Sequence, residues 1–329
     1  MTTNAHHVQL GRTGPSVFRI GLGCMGLSGA YGRTDDEQSV RVIQHAVDRG
    51  ITLVDTGDFY AMGHNERLVG RALAGRRDKV QISVKYGAMR DPSGGWVGID
   101  TRPAATKNFA AYSLDRLGVD VIDVYRPARL DPSVPIEDTV GAVAELVAAG
   151  HVRQWASRRS ARRQSVAPPP CTPSSTCGSR YAVATRGPEQ AIFPALREVG
   201  ASATLYGVFS RGLLTGSRPT GPGDFRAHLP RFAGEAGARN AQVVDRIAAL
   251  AREADRTPAQ LALGWVLDRQ PDLVPLIGAK TVAHVDEALD VLDRPVPGEA
   301  LDAFEQLVSG AVAGDRYAAP QMAMLDSER

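Results

Sequence analysis

The sequence has few cysteines, few aromatic residues and no excess of charge of either sign. Three cysteines, Cys24, Cys171 and Cys177, stand in 329 residues, none in a Cys-x-x-Cys pair and none at a zinc-site spacing from histidine. A disulfide framework is therefore not expected, nor is a metal site, and free thiols suit a reducing, cytoplasmic setting. Lysine and arginine number 38 against 36 aspartate and glutamate. That balance gives no electrostatic footprint for nucleic acid or for an anionic membrane. No apolar run reaches the roughly 20 residues of a membrane-spanning helix. The opening residues, MTTNAHHVQLGRTG, hold no apolar segment of the kind a secretion signal carries. Also missing is a Gly-x-Gly-x-x-Gly turn after the first strand, which argues against an open, doubly wound dinucleotide-binding sheet.

What the sequence does have is alternation. VQLG and VFRIGLG read as short strands around a Gly-Pro turn. Thereafter short apolar runs (ITLVDTG, KVQISVKYG, VDVIDVY, HVRQWA, ATLYGVFS, DLVPLIGAK) alternate with amphipathic helical stretches. Asp35 to Asp48 shows the pattern clearly: apolar residues recur at helical spacing and acidic residues crowd the first turn. Roughly eight strand-helix units favour a closed parallel barrel over an open sheet. The expected fold is a (β/α)8 TIM barrel with a short N-terminal β-hairpin and extra C-terminal helices, residues 1–329 forming a single domain.

In such a barrel the chemistry sits at the C-terminal ends of the strands and in the loops beyond them. Asp55 ends the second strand, Tyr60 lies in the loop after it, and Lys85 ends the third. A lysine closing an apolar strand (QISVK) is costly unless paired, and Asp55 is its plausible partner. A lysine cation beside a phenol stabilises the phenolate and lowers the tyrosine pKa, which makes Tyr60 a usable general acid. Each residue alone is unremarkable, since a lone strand-end Asp is more often a turn residue. The combination is more specific.

These residues also carry a family resemblance. DTGDFYAMGHNERLVGRAL (Asp55 to Leu73) resembles the aldo-keto reductase signature around its catalytic Asp and Tyr, and ISVK (Ile82 to Lys85) the strand with its catalytic Lys. GLGCMG (Gly21 to Gly26) is similar to the family's first barrel strand, and the run from Val134 to Arg153 to its fourth helix and fifth strand. LYGVFSRGLLTG (Leu205 to Gly216) resembles the loop that holds the cofactor pyrophosphate, and PLIGAKT (Pro275 to Thr281) the adenosine 2′-phosphate site. The tail from Arg316 to Glu328 is closest to the long-chain bacterial branch, which includes perakine-reductase-type enzymes.

The resemblance implies an NADPH-dependent oxidoreductase that reduces an aldehyde or ketone to an alcohol, or runs the reverse. Hydride comes from the nicotinamide and the proton from Tyr60, tuned by Lys85 and Asp55. It places Lys280, Thr281 and His284 at the 2′-phosphate and Glu287 at the adenine, although the neighbouring family Asn is Ala288 here. Tyr206 falls at the aromatic that stacks on the nicotinamide. Gly207, Phe209, Arg211 and Leu213 fall in the pyrophosphate loop, and Gly23, Cys24, Met25 and Gly278 at the strand ends beneath the cofactor. The partner is a small carbonyl compound whose identity the sequence does not specify, since loops set specificity. The loop Gly87 to Gly98 and the tail are expected to shape the pocket, with Tyr31, Phe59, Tyr86 and Trp96 as candidate lining.

Two departures stand out. The family pattern Tyr-x-x-His-Arg-x-Asp-Pro reads here Tyr125-Arg126-Pro127-Ala128-Arg129-Leu130-Asp131-Pro132, so Ala128 replaces the fourth catalytic residue. Arg126 and Arg129 are candidate substitute donors, with a salt bridge on the rim as the ordinary alternative for each. None of His64, His151 and His284 falls where it can replace the missing His. The second departure is Trp155 to Arg180, which contains five arginines, no acidic residue and three consecutive prolines. Prolines in series cannot continue a helix, and the segment does not read as strand 5, helix 5 and strand 6. Read in a shifted frame with permitted codons, it becomes GLSEVGAETVRRAAAVHPIVDLRIE, which has strand, helix and strand character and resembles the family. A compensated frameshift, in the gene or in its sequencing, is therefore the expected origin, with a true Arg/Pro-rich insertion as the alternative. As printed, the nicotinamide carboxamide contacts fall at Arg158, Arg159 and Gly178, and one barrel wall is expected to be damaged, exposing two sheet edges. Alternatives to a working enzyme are an NADPH-binding regulatory barrel, similar to the β-subunits of potassium channels, and an impaired copy.

Overall fold

The structure is a computed structural model, and it describes residues 6–158, 176–319 and 322. Eight parallel strands form a closed barrel: β1 (Gly21–Gly23), β2 (Leu53–Gly57), β3 (Gln81–Tyr86), β4 (Ile122–Pro127), β5 (Val152–Arg158), β6 (Thr176–Arg180), β7 (Ser202–Tyr206) and β8 (Val274–Ile277). They follow one another in chain order around the ring, and β8 pairs with β1. Around them lie α1 (Asp36–Asp48), α2 (His64–Leu73), α3 (Pro103–Leu117), α4 (Ile136–Ala148), α5 (Ile192–Val199), α6 (Gly234–Glu253), α7 (Pro258–Arg269) and α8 (Val282–Asp293). An added α9 (Gly298–Val308) packs its Phe304 and Val308 against the α6 and α7 side of the core.

Local chemistry explains the boundaries. Asp35 caps α1 by accepting a hydrogen bond from the Gln38 amide at 2.7 Å, and Asp36 and Glu37 oppose the positive end of the helix dipole. A reciprocal capping box between Thr257 and Gln260 starts α7. The expected N-terminal hairpin pairs His7–Gln9 with Ser16–Phe18. Its Val17, with Leu10, packs on Leu53, Val274 and Leu276 of β2 and β8. A second hairpin, Ala88–Arg90 with Trp96–Ile99, follows β3 at the opposite, functional rim.

The expected gap in the barrel wall is corrected by the structure. Both ends of the Arg/Pro-rich segment are strands, and β5 pairs with β6 through Ala156 with Thr176, Ser157 with Cys177 and Arg158 with Gly178. A parallel ladder is made of backbone groups, and the buried residues of β6 before its last, Arg180, are small: Thr176, Cys177, Gly178 and Ser179. No edge is left where β5 meets β6. The positions expected of helix 5, including Arg159, lie outside the described residues.

Candidate active site

The site is assembled at the C-terminal ends of β2, β3 and β4. Register places Gly57 beside Lys85 and Lys85 beside Arg126. The Lys85 ammonium donates to Asp55 Oδ1. The Arg126 guanidinium donates to Asp55 Oδ2 through Nη2 and, at 2.8 Å through Nη1, to Thr204 Oγ1 on β7. All three charged residues are buried, Arg126 with 1% of its surface exposed. Burial opposes ionisation of Asp55, but Lys85 and Arg126 together outweigh it and hold the carboxyl below its ordinary value. The Cys24 thiol lies next to this cluster, and burial first, then the Asp55 charge, push its pKa up, which makes it inert.

Tyr60 enters from the turn after β2. Lys85 Nζ stands 5.1 Å from the centre of its ring, and Phe59 meets that ring edge-on at 4.8 Å. The two residues after Tyr60, Ala61 and Met62, adopt left-handed backbone conformations with φ of 46° and 53°. Non-glycine residues pay for that conformation, and such strain collects where a side chain must be aimed. Behind the turn, Asp58 accepts from the Gly87 amide at 3.1 Å. Burial, with the nearby Glu66 carboxyl adding to it, raises Asp58 from 3.8 to about 8.

Above this cluster opens a cavity of about 710 Å³. Of the residues singled out in the sequence, Gly23, Met25, Asp55, Tyr60, Lys85, Tyr206, Gly207, Phe209, Arg211, Gly278, Lys280, His284 and Glu287 line it. Cys24 and Leu213 are buried behind the wall, and Thr281 caps α8 by accepting from the His284 amide at 3.2 Å. Lys280 reaches across to the Tyr31 carbonyl, and burial followed by the nearby Arg226 lower its pKa. Tyr31, Phe59 and Trp96 line the cavity as expected. Tyr86 does not: it is buried and stacked on Tyr125 at 4.1 Å, because it points outward from β3 toward α3. Among the described residues no group of three or more His, Cys, Asp or Glu side chains is arranged to hold a metal ion.

The structure separates the two arginines of strand 4. Ala128 and Arg129 line the cavity, Arg129 over the Tyr317 ring at 5.8 Å. Arg126 lies beneath the wall in the Asp55 ion pair, so neither a direct donor to substrate nor a rim salt bridge describes it.

Sequence reasoning missed the strap that shapes the loop after β7. Arg226 bonds the carbonyls of Arg211 and Arg218 and the Ser217 hydroxyl, and is locked to Asp224, whose pKa falls to about 2 as that pairing outweighs burial. In that loop Ser210 and Arg211 are left-handed, with φ of 48° and 63°. The Asp-Phe-Arg spacing in a Gly/Pro-rich stretch was the available signal. Arg180, also on the cavity wall, was missed too; its guanidinium stands 5.7 Å from the ring of Tyr317, which lies in the tail expected to shape the pocket.

A model of the Aldo/keto reductase family matches residues 19–309. The chain is 37% identical over 324 residues to a probable aldo-keto reductase of Glycine max, spanning 94% of this chain and 91% of that protein. It is 32% identical over 312 residues to the NADP(+)-designated aldo-keto reductase yakc of Schizosaccharomyces pombe, 92% of each being covered. Among solved structures, the glycerol dehydrogenase of Gluconobacter oxydans superposes with a TM-score of 0.82 at 26% identity, over 95% of this chain and 98% of that one. A closed eight-stranded barrel, the strand-end cluster above it and these likenesses over nearly the whole length establish that the chain belongs to the aldo/keto reductase family.

Proposed function

We propose that the protein is a single-domain reductase that reduces aldehydes or ketones with NADPH, or in reverse a dehydrogenase that oxidises the matching alcohols with NADP+. The observation that supports this most is Lys85, paired to Asp55, standing under Tyr60 at the floor of the cavity. NADPH, when bound, supplies a hydride to the carbonyl carbon. Tyr60 donates its phenolic proton to the carbonyl oxygen as that oxygen takes up the C=O electron pair. Lys85 stabilises the resulting phenolate, and Asp55 fixes Lys85 in place.

The residues present fit the cofactor. Lys280, with Arg211 and Arg226, gives one arm of the cavity a cationic wall for phosphate groups. The left-handed turns after β7 present backbone amides suited to an anion. Tyr206, half-buried at the end of β7, supplies a flat face for the nicotinamide, and Glu287 a hydrogen-bond acceptor for the adenine. The likeness to an NADP(+)-designated relative supports the same choice.

Ala128 on the cavity wall supports a second reading, a barrel that binds NADPH and turns over very slowly. The test is NADPH binding by fluorescence, followed by NADPH oxidation against a panel of aldehydes and ketones. Binding with prompt oxidation is expected. Binding without oxidation favours the second reading, and absence of binding overturns both.

A further inference from the structure

Resting on the reductase reading above, we propose that Arg126 favours proton donation by Tyr60 through the buried positive charge it adds behind Asp55. It holds the second carboxylate oxygen and leaves the charge of Lys85 to act on the phenol. The family resemblance carries no such residue; the assignment comes from where this side chain lies. Arg126 donates to Asp55 Oδ2 and, at 2.8 Å, to Thr204 Oγ1. Room for the guanidinium comes from Gly178 on β6, where an added Cβ would sit 3.0 Å from Arg126 Nη1. An arginine this deep is stable where a carboxylate and a hydroxyl meet it, and both do.

Charge counting gives the consequence. A lone Lys85–Asp55 pair is neutral, and its effect on Tyr60 is that of a dipole. With Arg126 on the far carboxylate oxygen, one negative charge lies between two positive ones, and the cluster beneath the phenol is net positive. A net charge acts over a longer range than a dipole, and a group 1% exposed is little screened by salt. Other charged groups on the same cavity wall are Arg90, Arg129, Arg180, Arg211, Arg226, Lys280 and Glu287, and behind the turn lies Asp58 with Glu66 and Arg116. Arg90, Arg129 and Arg211 border the open cavity; Arg180 is itself 3% exposed, but Arg126 is the arginine bonded to Asp55 beneath the phenol. Ala128 supplies no side-chain donor from strand 4 to the carbonyl oxygen. The reaction then depends more heavily on the acidity of Tyr60, which Arg126 raises.

The test is a spectroscopic titration of Tyr60, from ultraviolet tyrosinate absorbance with Tyr60→Phe subtracted, alongside the pH profile of kcat. In Arg126→Gln the Tyr60 titration and the basic limb of kcat are expected to move up by about one pH unit. Neutral-pH kcat should fall about tenfold while KM for NADPH stays within about twofold. Arg126→Lys keeps the charge and should restore most of the shift. Thr204→Val keeps the charge and should leave the titration at its wild-type value while lowering Tm. If Arg126→Gln does not fold, the comparison is made between Asp55→Asn and Asp55→Asn/Arg126→Gln, in which no buried carboxylate is orphaned; the double variant should titrate higher. A Tyr60 titration unmoved by loss of Arg126 in either background overturns the proposal, as does an Arg126→Lys shift equal to that of Arg126→Gln. The titration needs no turnover, so a wild-type protein that reduces no carbonyl overturns the reductase reading without deciding this one.

Discussion

Replacing Ala128 with histidine should raise turnover. Ala128 lies just beyond β4 with 1% of its surface exposed, its amide donating to the Tyr86 carbonyl at 2.6 Å and its methyl group on the cavity wall. The backbone there is fixed, so a side chain grown from it enters the cavity where the carbonyl oxygen is to be held. A donor positioned for a developing oxyanion is worth about 10²–10³ in rate. A histidine placed in a wall not built to orient it recovers part of that, about tenfold in kcat, or about 1.4 kcal/mol. Arg129 on the wall and Arg126 beneath it disfavour a protonated imidazole, so the ring stays a neutral N–H donor at pH 7. The assay is kcat at saturating NADPH for the best aldehyde of the panel, with NADPH affinity and Tm measured on the same protein. Unchanged or lower kcat, with affinity and Tm preserved, would refute the reasoning, because another group would then already hold the oxygen.

Three other outcomes are expected. Asp58 has its folded pKa raised to about 8, so the folded form binds a proton that the unfolded form has lost between about pH 4 and 8. Stability is full below that window and falls as pH rises through it, by at most about 1.4 kcal/mol per unit; Asp58→Asn should flatten this slope in urea denaturation across pH 5–9, where an unchanged slope contradicts the assignment. Lys280→Ala should weaken NADPH binding about tenfold and leave NADH binding nearly unchanged in fluorescence titrations; equal losses for both would remove Lys280 from the 2′-phosphate. Resequencing the coding DNA for residues 155–180 should show a one-base change near each end, and a chain carrying GLSEVGAETVRRAAAVHPIVDLRIE in place of residues 156–180 should melt several degrees higher and bind NADPH more tightly; a lower Tm would favour the printed segment.

Strand ends were the most legible part of this chain, because an apolar run that stops at a charged residue marks both an element and a site. That is why Asp55, Tyr60 and Lys85 were readable and came together as expected. Arg126 was in view but its direction was not: near the proline that ends β4, sequence does not say whether a side chain turns to the rim or under the wall, and the space at Gly178 and Thr204 decides it. β5 was readable from HVRQWA, but its end at Arg158 and all of β6 were not, because arginines and prolines dominate the composition between them. The pairing itself needs only short extended backbone and small buried residues such as Thr176, Gly178 and Ser179. The Asp224–Arg226 strap was legible only as an Asp-Phe-Arg spacing; two of its partners are the backbone carbonyls of Arg211 and Arg218, which no pattern of side chains announces.

The central claim is that Tyr60 delivers the proton while the rest of the cavity holds the cofactor. Its most direct test is Tyr60→Phe, with NADPH affinity measured by fluorescence and NADPH oxidation followed in a single turnover with an aldehyde the wild type reduces. The account predicts affinity within about twofold of wild type and oxidation slowed by about 10²-fold or more. Oxidation at the wild-type rate with the affinity intact would contradict it.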